Sequence, residues 1–251
     1  MNKDRKLLCE IIYTAIFIAL CFAGTFVSIP LGTSKVHLGN FFCVLAGLLC
    51  GPFVGGAAGS LGMGFNDIAL GYAWNVYLRT FILKFLMGFL AGYIFRLCLK
   101  KKANGSLLLG ISTALSLSLF GYMLYMYFVP DSNYSLLGVI AISILSLIVL
   151  AGFVASFYLS SSSQCLLFAM IVSLTMNVAG EFLLRILFGV ATGIQFDAAI
   201  VMSIMKLPAA LFTSLVTIIL VIAFFYPIYF STRKLNCLND LNPYIALGNK
   251  K

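Results

Sequence analysis

Charge is scarce in this chain: Asp, Glu, Lys and Arg make up only 9% of its 251 residues, against 62% apolar. A soluble globular domain carries about a quarter of its residues as charges, so that class is excluded. Histidine and tryptophan occur once each, as His37 and Trp74. A lone histidine without a nearby Cys, His or carboxylate partner makes a poor metal site, so no metal centre is expected. The seven cysteines include no CxxC pair, and none lies in a segment placed outside the cell. Neither a disulfide nor structural zinc is expected from them. HExxH, GxSxG, a paired-carboxylate motif and the phosphate-cradling GxxxxGK[ST] loop are all missing. The chain therefore does not read as an enzyme, and a transporter built on it must borrow its ATPase.

What is present is a succession of apolar segments of about 20 residues, the length that a bilayer core ~30 Å thick requires. They point to an all-α, multi-pass protein of the cell membrane: a compact bundle of 6–8 transmembrane helices formed by residues 1–251 as one domain. The net charge of +9 does not indicate nucleic-acid binding, because the positives cluster. They fall at Lys3, Arg5 and Lys6, at 96–102, and at Arg233, Lys234, Lys250 and Lys251. Such clusters are cytoplasmic flanks under the positive-inside rule, which places both termini in the cytoplasm. Residues 7–29 are too long for a signal-peptide core and read as a retained helix.

Eight spans follow: 7–29, 37–50, 53–70, 80–99, 106–128, 136–159, 166–188 and 200–230. The outer connections are then 30–36, 71–79, 130–134 and 189–199. Glycines at four-residue spacing, Gly47, Gly51, Gly55 and Gly59, allow close backbone approach between membrane helices and suggest a short, broken third segment.

Charges inside apolar stretches are costly and mark substrate or ion pathways. Asp67, Lys84, Glu181, Arg185 and Lys206 all fall toward the outer third of the bundle when depth is counted at about 1.5 Å per helical residue. Asn177, Glu181 and Arg185 recur every four residues and share one helix face. Glu181 with Arg185 could be a packing pair, and Arg79, Lys84 and Lys206 could snorkel to the headgroups. The depth and opposite sign of Glu181 and Lys206 favour a pocket. The candidate ligand contacts are His37, Asn40, Asn66, Asp67, Trp74, Asn75, Lys84, Asn177, Glu181 and Lys206, with Trp74 and Tyr77 available to stack on a ring. His37 reads first as a polar helix-start residue, and Asn40 and Asn75 suit helix caps as well as ligand contacts.

Two stretches carry a family resemblance: VHLGNFFCVLAGLLCGPFVGGAAGSLGMGFNDIALGY, with its H-x-G start and G-P turn, and FILKFLMGFLAGYIF, with K-x-x-M-G. Together with Ala15, Ala19 and Ala23 at four-residue spacing, they resemble the substrate-binding (S) components of energy-coupling factor (ECF) vitamin transporters. The riboflavin/hydroxymethylpyrimidine-like branch is the nearest. The resemblance covers 7–99 well and, more loosely, the last two helices, where NVAGEFLLRI looks like a binding helix. Family members have six spans, so the core is expected at 7–99 and 165–230, with 106–159 as an extra hairpin. The resemblance implies an outward-facing pocket for a water-soluble vitamin or precursor, capped by the outer loops. It implies no cofactor in the chain itself, because ATP is used by two cytosolic ATPase partners. Ala15, Ala19 and Ala23 would dock a membrane coupling subunit, although internal helix packing needs small residues as much. A stand-alone proton- or ion-coupled secondary transporter is the rival reading. It lacks support from any visible inverted repeat.

Overall fold

The computed structural model describes residues 3–31, 34–128, 136–232 and 241. Expected features at 32–33, 130–134 and in the C-terminal basic cluster from Arg233 onward lie outside the described residues.

Nine helices and one two-stranded hairpin make up the described chain. Helix α1 (Lys3–Phe26) leads into strands β1 (Ser28–Leu31) and β2 (Ser34–His37). These strands pair antiparallel, with Ser28 opposite His37 and Pro30 opposite Lys35. The expected outer loop is thus a hairpin, tied back to α1 where Leu38 N–H donates to the Gly24 carbonyl at 3.0 Å. Helix α2 (Gly39–Cys50) follows, then α3 (Pro52–Ala69) and α4 (Trp74–Lys101). Next come α5 (Gly105–Phe128), α6 (Leu136–Ser156) and α7 (Ser161–Ala191). The chain closes with α8 (Phe196–Ile204) and α9 (Leu207–Thr232).

Among the described residues, five helical segments are long and apolar enough to cross a membrane: Asp4–Phe26, Trp74–Lys101, Gly105–Tyr122, Ser161–Ala191 and Phe196–Thr232. The all-α membrane bundle expected from composition is therefore the observed architecture. Helix α2 departs from the expected full span. It has only 12 residues, about 18 Å at the helical rise, and 11 of them are buried. Its sequence is apolar on every side, which is the pattern of a helix enclosed by others. It lies at the centre of the bundle against α1, α3, α4 and α9.

Glycine makes that arrangement possible. A side chain at Gly47 would overlap the Gly88 carbonyl, one at Gly88 would overlap the Gly55 carbonyl, and one at Gly92 would overlap the Gly47 carbonyl. Helices α2, α3 and α4 thus meet backbone to backbone, the close approach that small residues permit where no hydrophobic drive separates helix from lipid. Helix α3 is continuous over its 18 residues and is not broken by its glycines. At the α2–α3 turn, Gly51 adopts φ 111°, and Pro52 occupies the first turn of α3, where its missing N–H costs nothing.

Three boundaries differ from the sequence reading. Helix α4 begins at Trp74, so the connection from α3 is shorter than 71–79. Helix α7 runs 31 residues and ends at Ala191. The last expected span is interrupted between Ile204 and Leu207. Pro208 explains that break: it has no N–H to donate to the Ile204 carbonyl, and in a continuous helix its ring would clash with that carbonyl.

Cys21, Cys43, Cys50, Cys98 and Cys165 are free and buried. Cys9 is disulfide-bonded, contrary to the expectation that spacing and compartment leave the cysteines reduced.

Candidate functional site

The C-terminal ends of α1 and α3 and the N-terminal ends of α2, α4 and α9 meet at the hairpin end of the bundle. A cavity of about 420 Å³ opens between them and the second half of α7. That volume lies in the range of small-molecule pockets. Strand β2 contributes Lys35 and His37, α2 contributes Asn40, and α3 contributes Asn66 and Asp67. Arg79, Thr80 and Lys84 come from α4, Asn177, Glu181 and Arg185 from α7, and Lys206 from the α8–α9 break.

The helical period explains the convergence. On α7, Asn177, Glu181 and Arg185 stand one above another, and on α4 Thr80 and Lys84 do the same. The two polar stripes face each other. Lys84 Nζ donates to Asn177 Oδ1 at 2.9 Å and lies 3.9 Å from Glu181 Oε1. Arg79 Nε is 3.1 Å from Glu181 Oε2, and Arg185 Nη2 donates to the same oxygen at 3.3 Å. One carboxylate therefore gathers three cations. Asp67 accepts from the Thr80 hydroxyl, which joins α3 to the same network.

Two buried acceptors in the wall lack hydrogen-bond partners among the described residues. Asn40 Oδ1 and Asn66 Oδ1 are buried with no hydrogen-bond donor, although the Asn66 amide does donate to the Phe22 carbonyl at 3.4 Å. A buried acceptor left unpaired is costly, so each calls for a donor from a water or a bound molecule. His37 Nδ1 accepts from the Gly39 N–H at 3.2 Å, an arrangement that requires an unprotonated Nδ1. Burial, reinforced by the Lys84 charge and opposed by Glu181, pushes the His37 pKa down to about 4.

Eight of the ten expected contacts, His37, Asn40, Asn66, Asp67, Lys84, Asn177, Glu181 and Lys206, line this cavity. Trp74 and Asn75 do not. Because α4 starts at Trp74, that ring is half exposed and packs edge-on against Phe188 at 5.9 Å. The aromatic side chains that do line the cavity are Tyr72 and Phe182, and Tyr77 is not among the lining residues.

Arg79 corrects the sequence reading most. Snorkelling to the headgroups was open for it, yet its side chain is 8% exposed and turned inward onto Glu181. The missed signal was the spacing of Arg79 and Lys84 near the start of one helix, opposite a lone glutamate on another. Lys35, Thr25, Ser203 and Thr213 also line the wall and carried no sequence pattern that singled them out.

The alanine stripe lies elsewhere. Ala15, Ala19 and Ala23 are exposed on the face of α1 opposite the one that buries Phe17, Cys21 and Gly24.

The family model described as "ECF-type riboflavin transporter, S component" matches residues 8–158, more than half of the chain. The chain belongs to this S-component family. It is accordingly a substrate-specific subunit of an ECF transporter, a multi-pass membrane protein and not an enzyme. Membership implies association with an ECF module. The matched segment of this S component runs through α5 and α6 as well as the α1–α4 core. No curated protein and no solved structure matches the chain.

Proposed function

We propose that the cavity at the hairpin end is the substrate site of this S component and takes a water-soluble vitamin or vitamin precursor from outside the cell. One observation carries the reading: side chains from α4 and α7, joined through Glu181, converge on a cavity of about 420 Å³ whose wall retains the unpaired acceptors of Asn40 and Asn66. The outward orientation rests on the basic residues Arg5, Lys6, Lys100 and Lys101, which lie at the opposite end of the bundle. Both termini are then cytoplasmic, the hairpin β1–β2 caps the site, and 106–159 forms a hairpin flanking a core of 7–99 and 165–230. The exposed face of Ala15, Ala19 and Ala23 docks a membrane coupling subunit, and two cytosolic ATPases supply the energy.

Mass spectrometry of small molecules released from gently purified protein tests the reading directly. A vitamin or precursor released at one per chain, with uptake into proteoliposomes only when an ECF module and ATP are present, is the expected result. ATP-independent solute movement by the lone chain would sink it and favour an ion-coupled carrier.

A further inference from the structure

The charge around the cavity identifies the kind of molecule that fits it. Five cationic side chains, Lys35, Arg79, Lys84, Arg185 and Lys206, line the wall together with two carboxylates, Asp67 and Glu181. Glu181 is already approached by three of the cations, at 3.1, 3.3 and 3.9 Å. Asp67 is held by the Thr80 hydroxyl. A cationic ligand would have to compete with arginine and lysine for a carboxylate that they surround, in a wall that repels it. Among the described residues the buried cations Arg79 and Lys84 share Glu181 with Arg185, and a neutral ligand would leave that imbalance of charge in place where burial makes it expensive. The unpaired Oδ1 atoms of Asn40 and Asn66, on residues 3% and 0% exposed, ask in addition for N–H or O–H donors.

We propose that this S component selects an organic anion: a small molecule bearing a carboxylate or phosphate for the Arg185–Lys206 side of the cavity and N–H or O–H donors for Asn40 and Asn66. The inference rests on the cavity being the substrate site. It departs from the uncharged riboflavin after which the family is described.

Matched pairs of compounds that differ in one anionic group provide the test. Riboflavin with riboflavin 5′-phosphate, nicotinamide with nicotinate, and panthenol with pantothenate would be titrated against the full chain in nanodiscs, by calorimetry and melting shift. Contents released from the purified protein would be identified in parallel. The expected result is an anionic compound that binds at least tenfold more tightly than its neutral twin, or an organic anion among the released contents. Lys206→Gln should then narrow that gap to less than threefold by weakening the anionic compound while the affinity of its neutral twin stays within about twofold. For a ligand identified from the released contents, the same comparison would be made with its amide or dephospho form. Equal or tighter binding of a neutral twin overturns the anion assignment and leaves the receptor reading intact. Phospholipid as the sole released anion, with no pair discriminated, also overturns it. Failure of every compound to bind, with nothing released, overturns both readings together.

Discussion

Replacing Glu181 by Gln leaves Arg79, Lys84 and Arg185 facing one another around an uncharged amide. Breaking a buried ion pair by removing one partner costs about 3–5 kcal/mol, and partial exposure of Glu181 places this case near the lower end. E181Q is therefore expected to lower the melting temperature of the ligand-free protein by several degrees, as read in a thermal unfolding assay. The double variant Glu181→Gln, Lys84→Gln should recover part of the loss. His37 gives a second expectation at this scale. Its pKa is held near 4 in the folded state against 6.5 ordinarily, so between those values the unfolded chain takes up a proton that the folded chain refuses. Stability must then fall as pH drops from about 6.5 toward 4 and stay flat with respect to this group above 7, by an amount on the order of 1–3 kcal/mol. Melting curves across that range, with H37N as the non-titrating control, measure it. A control that shows the same slope would assign the effect elsewhere.

Among the elements, the interlocked α2, α3 and α4 are the least tolerant of change. Gly88→Val places side-chain atoms where the Gly55 carbonyl lies, and helices in contact through backbone have no rotamer that relieves the clash. Loss of a monodisperse folded species on size-exclusion chromatography is the expected outcome, whereas Gly121→Ala, with nothing within 4 Å, should be neutral. Trp74→Ala should leave ligand affinity within about twofold, because that ring lies outside the cavity. The elements differed in how readable they were from sequence. The glycine spacing and the charge depths are local patterns, and they led to the packed helices and to eight of the lining residues. The β1–β2 hairpin, the inward turn of Arg79 and the partition of Tyr72 from Trp74 depend on tertiary contacts that no single segment encodes. The α8–α9 break was encoded, in Pro208, but the strong apolar run around it masked the signal. Arg79 illustrates the general difficulty: depth alone leaves an end-of-helix arginine free to go either way, and only the carboxylate across the bundle decides it.

For the molecule as a whole, the exposed alanine face of α1 and the cavity lie on separate surfaces, so the proposed roles of docking and binding can be tested apart. Ala19→Trp should abolish ATP-driven uptake by the assembled transporter while leaving ligand binding by the isolated chain unchanged. Loss of both would show that the face serves the fold. The glycine contacts have a further consequence, one of kinetics. Half of the cavity rim, the part built on α2, α3 and α4, stands on backbone pressed against backbone and has little room to yield. The rest includes a two-stranded hairpin and the break between α8 and α9, beside α1 and α7. For the proposed substrate site, the expected route of entry and exit is therefore on that side, with amide exchange fastest in the hairpin strands and around the α8–α9 break.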